Sequence, residues 1–198
     1  MADGPNGSRR MIPKKIHFYW EGPYDQDVIH NIWSFQSYNP SYEIKCWNEK
    51  EVRDLSPNID WAKRAFPHQA GLSNYVRLVL LSRLGGFWFD TDFICHKPID
   101  QFLEHEAVAA FQDKGRICNA FMGAVAGHPW IEWQLRNANQ YEGYQPEWGV
   151  YLATEAPRDG LTIIPSELVY PYLYDTPRDK CLINEDTVVE HQWKGSWL

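Results

Sequence analysis

The stretch Leu84-Gly85-Gly86-Phe87-Trp88-Phe89-Asp90-Thr91-Asp92 decides how this chain is read. Two glycines stop a helix, three aromatic residues start a strand, and two carboxylates come next. Upstream, Leu72, Tyr75, Val76, Val79 and Leu80 recur at the 3.6-residue period. That period predicts a helix over residues 69–84 ending on the glycines. The aromatic run then reads as a strand over residues 87–89, anchored in a sheet. On a strand, residues two apart share a face, so Asp90 and Asp92 are expected to converge at its carboxyl end. Open α/β sheets bind ligands at that edge. Paired carboxylate oxygens suit a hard divalent cation such as Mg²⁺ or Mn²⁺, one that would grip a phosphorylated substrate.

Outward from this stretch, strands and helices alternate. Residues 15–20 read as a first strand entered from Pro13, and residues 25–38 carry helical spacing through Ile29, Ile32, Trp33 and Gln36. A second strand is expected over 42–47. Asn48, with Glu51 three residues on, resembles a capping box that opens a short helix. Further strands are expected over 107–111, 121–125, 161–164 and 187–190. Helices are expected over 129–140, where Pro129 suits a first turn, and over 149–155. Alternation of this kind predicts an α/β fold, a mainly parallel central sheet flanked by helices. Residues 1–11 read as a flexible tail and 12–198 as one domain.

Composition narrows the function. With 198 residues and 44% hydrophobic content the chain has enough material for a substantial core. Ten Trp, 11 Tyr and 9 Phe exceed what a core of this size ordinarily holds, leaving some rings free to stack on bases or sugars. A net charge of −7 argues against nucleic acid as a partner. It also requires local positive charge, from a metal or well-placed Arg and Lys, if a diphosphate is to bind. Cys46, Cys95, Cys118 and Cys181 are widely spaced and read as reduced thiols. No apolar run reaches the roughly 18 residues of a membrane span and no signal-peptide pattern opens the chain, so a cytoplasmic location is expected.

On the predicted long helix, Asn74 and Arg77 share a face with Leu78 and Leu81. An arginine half-buried there wants an anionic partner, either a diphosphate or an Asp of the metal site. His17 and His128 read first as hydrogen-bonded structural residues, whereas His191 lies near Trp193 and Trp197 in an otherwise unexplained terminal segment. Trp133, Tyr144 and Trp148 are candidate surfaces for stacking an acceptor.

Taken in order, several motifs carry a resemblance. They are Ile12-Pro13-Lys14-Lys15-Ile16-His17-Phe18-Tyr19-Trp20, Lys45-Cys46-Trp47-Asn48, Ser73-Asn74-Tyr75-Val76-Arg77 and the stretch from Leu84 to Asp92. Gly127-His128-Pro129-Trp130 and His191-Gln192-Trp193-Lys194-Gly195-Ser196-Trp197 complete them. As a set they resemble the DXD-motif, sugar-nucleotide-dependent glycosyltransferases: yeast-type initiating mannosyltransferases, capsular polysaccharide glycosyltransferases and, remotely, glucosylating clostridial toxins. The resemblance implies a GT-A (Rossmann-like) fold, Mn²⁺ or Mg²⁺, and retaining transfer from a nucleoside-diphosphate sugar, UDP-sugar favoured. The acceptor it implies is a glycan, lipid-linked or protein hydroxyl. Asp92 would bind the metal, Asp90 would touch it or the ribose and sugar, and His191 would add a metal or phosphate contact. Arg77 and Asn74 would face the donor, Tyr19 and Trp20 the base, and Ser196 and Trp197 the diphosphate. Asn74 departs from the family, which usually carries Asp there; an amide keeps hydrogen bonding but loses the charge.

Two other functions fit parts of the same pattern. An apolar strand ending in Asp-Thr-Asp also suits a haloacid dehalogenase-like phosphatase, in which the first Asp is phosphorylated. A catalytically weak nucleotide-sugar or glycan-binding protein of the same fold would be consistent with Asn74. For retention by double displacement, Glu147 and Glu155 are the candidate nucleophiles. Neither is singled out, so front-face substitution is favoured.

Overall fold

The structure is a computed structural model that describes residues 10–143 and 147–194. Its first half runs β1 (Lys15–Tyr19), α1 (Gln26–Tyr38), β2 (Glu43–Trp47), α2 (Glu49–Val52), α3 (Ile59–Ala65), α4 (Gln69–Leu84), β3 (Gly86–Phe89) and β4 (Phe93–Cys95). The second half runs β5 (Ala107–Asp113), β6 (Arg116–Ala124), α5 (Pro129–Asn137), α6 (Trp148–Glu155), β7 (Leu161–Ile164) and β8 (Val189–His191). Six strands form one sheet in the order β2-β1-β3-β6-β5-β7, and β4 pairs with β8 in a separate two-stranded sheet. In the larger sheet β6 alone runs against the other strands, so the sheet is mainly parallel as expected.

Local chemistry accounts for the element ends. The Asp25 carboxylate accepts the Val28 N–H at 2.8 Å and caps α1. Asn48 and Glu51 form a capping box on α2. The helix α4 stops at Gly85, whose φ is +63°, and Gly86 comes next at +103°. A Cβ at Gly86 would stand 2.7 Å from the Lys15 carbonyl oxygen, and one at Gly85 2.7 Å from the Ala126 nitrogen. The glycine pair therefore serves both the left-handed turn and the close approach of β3 to β1.

Alternation along β3 sorts its side chains between two cores. Phe87 and Phe89 join Ile16, Phe18, Phe35 and Phe121 on the face covered by α1 and the small sheet. Trp88 points the other way, into the core under α4, α5 and α6. Each fully buried Phe of this kind contributes roughly 1.5–3 kcal/mol.

Several features depart from expectation, among them the strand β4, which the sequence reading did not include. The short helix α3 has no counterpart in the sequence reading. β6 begins at Arg116 rather than near residue 121 and forms a hairpin with β5 through Lys114 and Gly115, both at positive φ. The terminal strand is short and belongs to the second sheet. The four cysteines are free, as expected. Among the described residues no helix is long and apolar enough to cross a membrane.

Candidate active site

β3 ends at Phe89, and Asp90-Thr91-Asp92 forms a turn closed by the Phe93 N–H donating to the Asp90 carbonyl at 3.2 Å. The two carboxylates therefore meet through a turn and not through strand alternation. The physical reason is that the chain changes sheets here: Phe89 pairs with Phe121 in the large sheet, and Phe93 pairs with His191 in the small one. No pleat connects the two.

Asp90 is held by the α4 side of the molecule. Its Oδ1 accepts from Trp88 Nε1 at 2.8 Å and pairs with Arg77 Nη2 at 2.9 Å. Arg77 is buried (3% exposed side chain), donates to the Asn119 carbonyl and to Ser73, and lies over the Trp88 ring at 4.9 Å. Burial pushes the Asp90 carboxyl up from its ordinary value, Arg77 opposes that rise, and Asp92 adds to it. Burial likewise lowers the Arg77 guanidinium, against the pull of Asp90.

Asp92 is held by β8 and by the segment just beyond that strand. Its Oδ1 meets His191 Nε2 at 3.1 Å, its Oδ2 accepts the Lys194 backbone N–H at 3.0 Å, and its carbonyl accepts the Gln192 N–H at 2.9 Å. Burial alone would raise this carboxyl, but His191 and the Lys194 N–H outweigh it and hold it below the usual carboxylate range. His191 is 6% exposed, stacked on Phe93 at 4.5 Å and packed on Trp193 at 4.0 Å. The Lys194 ammonium reaches Asp27 on α1 at 2.5 Å, and Asn31 Nδ2 donates to the Thr91 carbonyl at 2.8 Å. α1 thus clamps the turn from its outer side.

The remaining predicted residues divide. Trp20 comes directly after β1 at the same edge of the parallel sheet, half-buried, its indole N–H donating to Pro23. Tyr19 lies within the core at 5% exposure. Burial, then the nearby Glu21, raise its phenol far above the ordinary value. Asn74 is buried, and its Oδ1 accepts from Asn119 Nδ2 at 2.8 Å. Ser196, Trp197 and Tyr144 lie outside the described residues. Trp148 is not a stacking surface: it is fully buried and stacked on Phe66 at 4.5 Å, because α6 packs that indole into the core. Trp133 is half-buried and packs against the same core. Glu155 is engaged by the Tyr141 hydroxyl at 2.6 Å. His17 and His128 are structural as read: His17 Nε2 faces the Gly85 carbonyl at 2.8 Å and its Nδ1 accepts from Trp47, and His128 caps α5.

Several contributors escaped the sequence. Between Ala109↔Met122 and Ala110↔Cys118 the β5–β6 register jumps, and Asn119 stands in the irregularity, where its carbonyl turns onto Arg77 and its amide onto Asn74. Bulges re-aim groups in this way. Gly149 makes room for that amide pair, since a Cβ there would collide with Asn119 Nδ2. Tyr170 lies buried between Phe93, His191 and Trp193, and its hydroxyl accepts the Phe121 N–H at 3.1 Å. A lone Asn in an apolar strand was the one available signal; the others carried none.

Asp90, Asp92 and His191 each offer one ligand atom, all within 4.8 Å of one another. Two carboxylates and one imidazole make a donor set that Mn²⁺ and Mg²⁺ accept, with the nitrogen favouring Mn²⁺. The residues fit a divalent cation.

Comparison with known proteins bears on the family and the fold. Residues 25–109 match the family model described as glycosyltransferase sugar-binding region containing DXD motif. Ser73–Arg77 and the stretch from Leu84 to Asp92 fall inside that match. Inositol phosphoceramide mannosyltransferase 3 of Schizosaccharomyces pombe is 26% identical over 139 residues, covering 66% of this chain and 38% of that protein. Mannosyl phosphorylinositol ceramide synthase SUR1 of Saccharomyces cerevisiae is 23% identical over 144 residues, covering 68% of this chain and 37% of that protein. The chain thus spans well under half the length of these curated relatives. Among solved structures, the PaToxG glycosyltransferase superposes with a TM-score of 0.62 at 16% identity, over 80% of this chain and 72% of that one. The galactosyltransferase LgtC, solved with donor and acceptor sugar analogues, gives 0.57 at 13% identity, over 89% and 86%. The fold is that of these GT-A glycosyltransferases, and residues 25–109 are similar to their DXD-containing sugar-binding region.

Proposed function

We propose that this protein is a metal-dependent retaining glycosyltransferase that moves a sugar from a nucleoside-diphosphate sugar, UDP-sugar favoured, to a glycan, lipid-linked or protein hydroxyl. The observation carrying this reading is the gathering of Asp90, Asp92 and His191 at the carboxyl edge of β3, with Arg77 fixed beside Asp90. Asp90, Asp92 and His191 would hold the cation, which when bound neutralises charge growing on a departing diphosphate. The chain's own residues do the rest. Arg77, fixed by the Asn119 carbonyl, Ser73 and Trp88, keeps Asp90 in one orientation and brings positive charge to an acidic protein. Asn74, beside Asn119, presents amide groups suited to sugar hydroxyls. Trp20 at the neighbouring strand end supplies an aromatic surface for a base. Front-face substitution, in which the leaving phosphate helps deprotonate the acceptor, is the favoured stereochemical course, and trapping of a covalent glycosyl-enzyme would overturn it.

The test is a thermal-shift panel of UDP-, GDP- and ADP-sugars, mannosyl donors included because of the relatives' names, with Mn²⁺ or with EDTA. One donor class should raise the Tm when Mn²⁺ is present and not in EDTA, and Asp92→Asn should remove that rise. A rise that survives both EDTA and Asp92→Asn would defeat the reading. Released nucleotide, measured with oligosaccharide and inositol phosphoceramide acceptors, then separates transfer from binding alone.

A further inference from the structure

Round α4 from Arg77 lies a cleft of about 420 Å³ between the α2–α3 connection, α4 and α5. Tyr75, Val79 and Arg83 recur every four residues and line it from one face of α4. Arg77, two residues beyond Tyr75, lies near the opposite side of the helix, towards the sheet. The cleft is therefore separate from the carboxylate turn.

Two arginines line this space, Arg83 in the last turn of α4 and Arg136 in the last turn of α5. Neither makes an ion pair or hydrogen bond among the described residues. Among other surface arginines, Arg53 grips Asp60 at 2.8 Å and Arg116 grips Asp113 at 2.5 Å, whereas Arg64 at the end of α3 makes no ion pair among the described residues. The helix dipole explains one cation at each helix end. It does not explain why two of them face a single concave surface on a protein of net charge −7. One wall is aromatic, since Trp61 packs edge-on against both Phe66 and Tyr75 at 5.7 Å and keeps part of its ring accessible. At the rim the side chains of Asn58 and Asn139 are exposed and likewise without hydrogen-bond partners among the described residues.

We propose that this cleft is a second ligand site, taking a small phosphorylated sugar or polyol. The guanidinium forks match phosphate oxygens in pairs. The Trp61 face suits the apolar side of a pyranose or polyol ring, and the two amides offer both donors and acceptors to its hydroxyls. The volume is that of a small-molecule pocket. This site stands independently of transferase activity at Asp90 and Asp92.

The experiment titrates ¹⁵N-labelled full-length protein with glucose 1-phosphate in EDTA, following the Trp61 indole N–H, with glucose and inorganic phosphate as separate arms. Asp92→Asn protein, in which the carboxylate turn is impaired, is titrated alongside. A saturable Trp61 shift is expected in both proteins, with glucose 1-phosphate binding about tenfold or more tighter than either glucose or phosphate alone. Arg83→Gln combined with Arg136→Gln should weaken that binding by about tenfold or more, and both side chains are exposed, so the fold should stand. The proposal is overturned by no saturable shift up to about 10 mM, by equal affinity for inorganic phosphate and the sugar phosphate, or by unchanged binding in the double variant.

Discussion

Asp90 and Asp92 are separated by one threonine, yet different parts of the molecule hold them. Asp90 is tied to Arg77 of α4 and Trp88 of β3, partners from the large sheet and its covering helix. Asp92 is tied to His191 of β8 and to the Lys194 backbone, partners about a hundred residues downstream. Strand β3 brings Asp90 to a finished surface, whereas Asp92 is completed only when the small sheet closes over the turn. Asp90 therefore belongs to the stability of the molecule, and Asp92 to the shape of its site. A metal placed between them would join the two halves.

The strongest test of that contrast is stability. Asp90→Ala leaves the Arg77 guanidinium buried without its carboxylate and should cost about 3–5 kcal/mol in urea unfolding. Asp92→Ala removes a carboxylate whose partners are one imidazole nitrogen and one backbone N–H, with no buried guanidinium left behind, and should cost about 1 kcal/mol or less. Equal losses would erase the distinction. In transfer assays the expectation is different: Asp92→Asn should reduce the rate about 10²–10³-fold while its Tm stays near that of the parent. A fully active Asp92→Asn protein would remove the turn from the chemistry.

Acid sharpens the same contrast from the side of the large sheet. His17, in β1, is pushed down from 6.5 to about 4, first by burial, with the nearby Lys15 and Lys45 also lowering it and the Gly85 hydrogen bond partly opposing. Because the folded protein holds this imidazole neutral, the unfolded chain binds the extra proton between those two values. Stability is therefore full above pH 6.5 and falls as pH drops through 6.5 towards 4, by a total on the order of 3 kcal/mol. Unfolding curves between those limits, compared with His17→Gln, would show a flatter dependence in the variant. An identical slope in both would locate the acid sensitivity elsewhere.

Smaller effects are expected at two further positions. Gly149→Ala should cost about 1–3 kcal/mol, because its methyl would collide with the Asn119 amide. It should also weaken donor binding, since that amide positions Asn74. A stable, fully active Gly149→Ala protein would show that the Asn74–Asn119 pair is free to move. Smallest of all, Asp27→Asn removes an exposed partner of Lys194 and should leave the Tm unchanged within error. Its donor KM should rise about twofold if the clamp from α1 matters to the site.

Much of the architecture could be read along the chain. The helix before Gly85, the buried strand after Gly86 and the capping box at Asn48 all arise from interactions within a few residues. The β5–β6 hairpin escaped because Lys114 takes a positive φ without being glycine, so the turn gave only half its signal. α3 escaped because Asn58 makes no side-chain cap and the helix is seven residues long. At the site, Asp90, Asp92, Arg77 and His191 were legible by residue type and order, but the manner of their meeting was not. A strand pleat would have aligned the two carboxylates; a turn between two sheets does so instead.

Two glycines, an aromatic run and two aspartates were enough to place an acidic pair at the end of a buried strand, because helix stops and strand burial are short-range effects. Packing alone assigned one aspartate to Arg77 and the other to His191, turned the Asn119 carbonyl inward and sank Trp148 into the core. Those outcomes depend on which distant segments share a sheet, and no local pattern encodes a contact between residues 92 and 191.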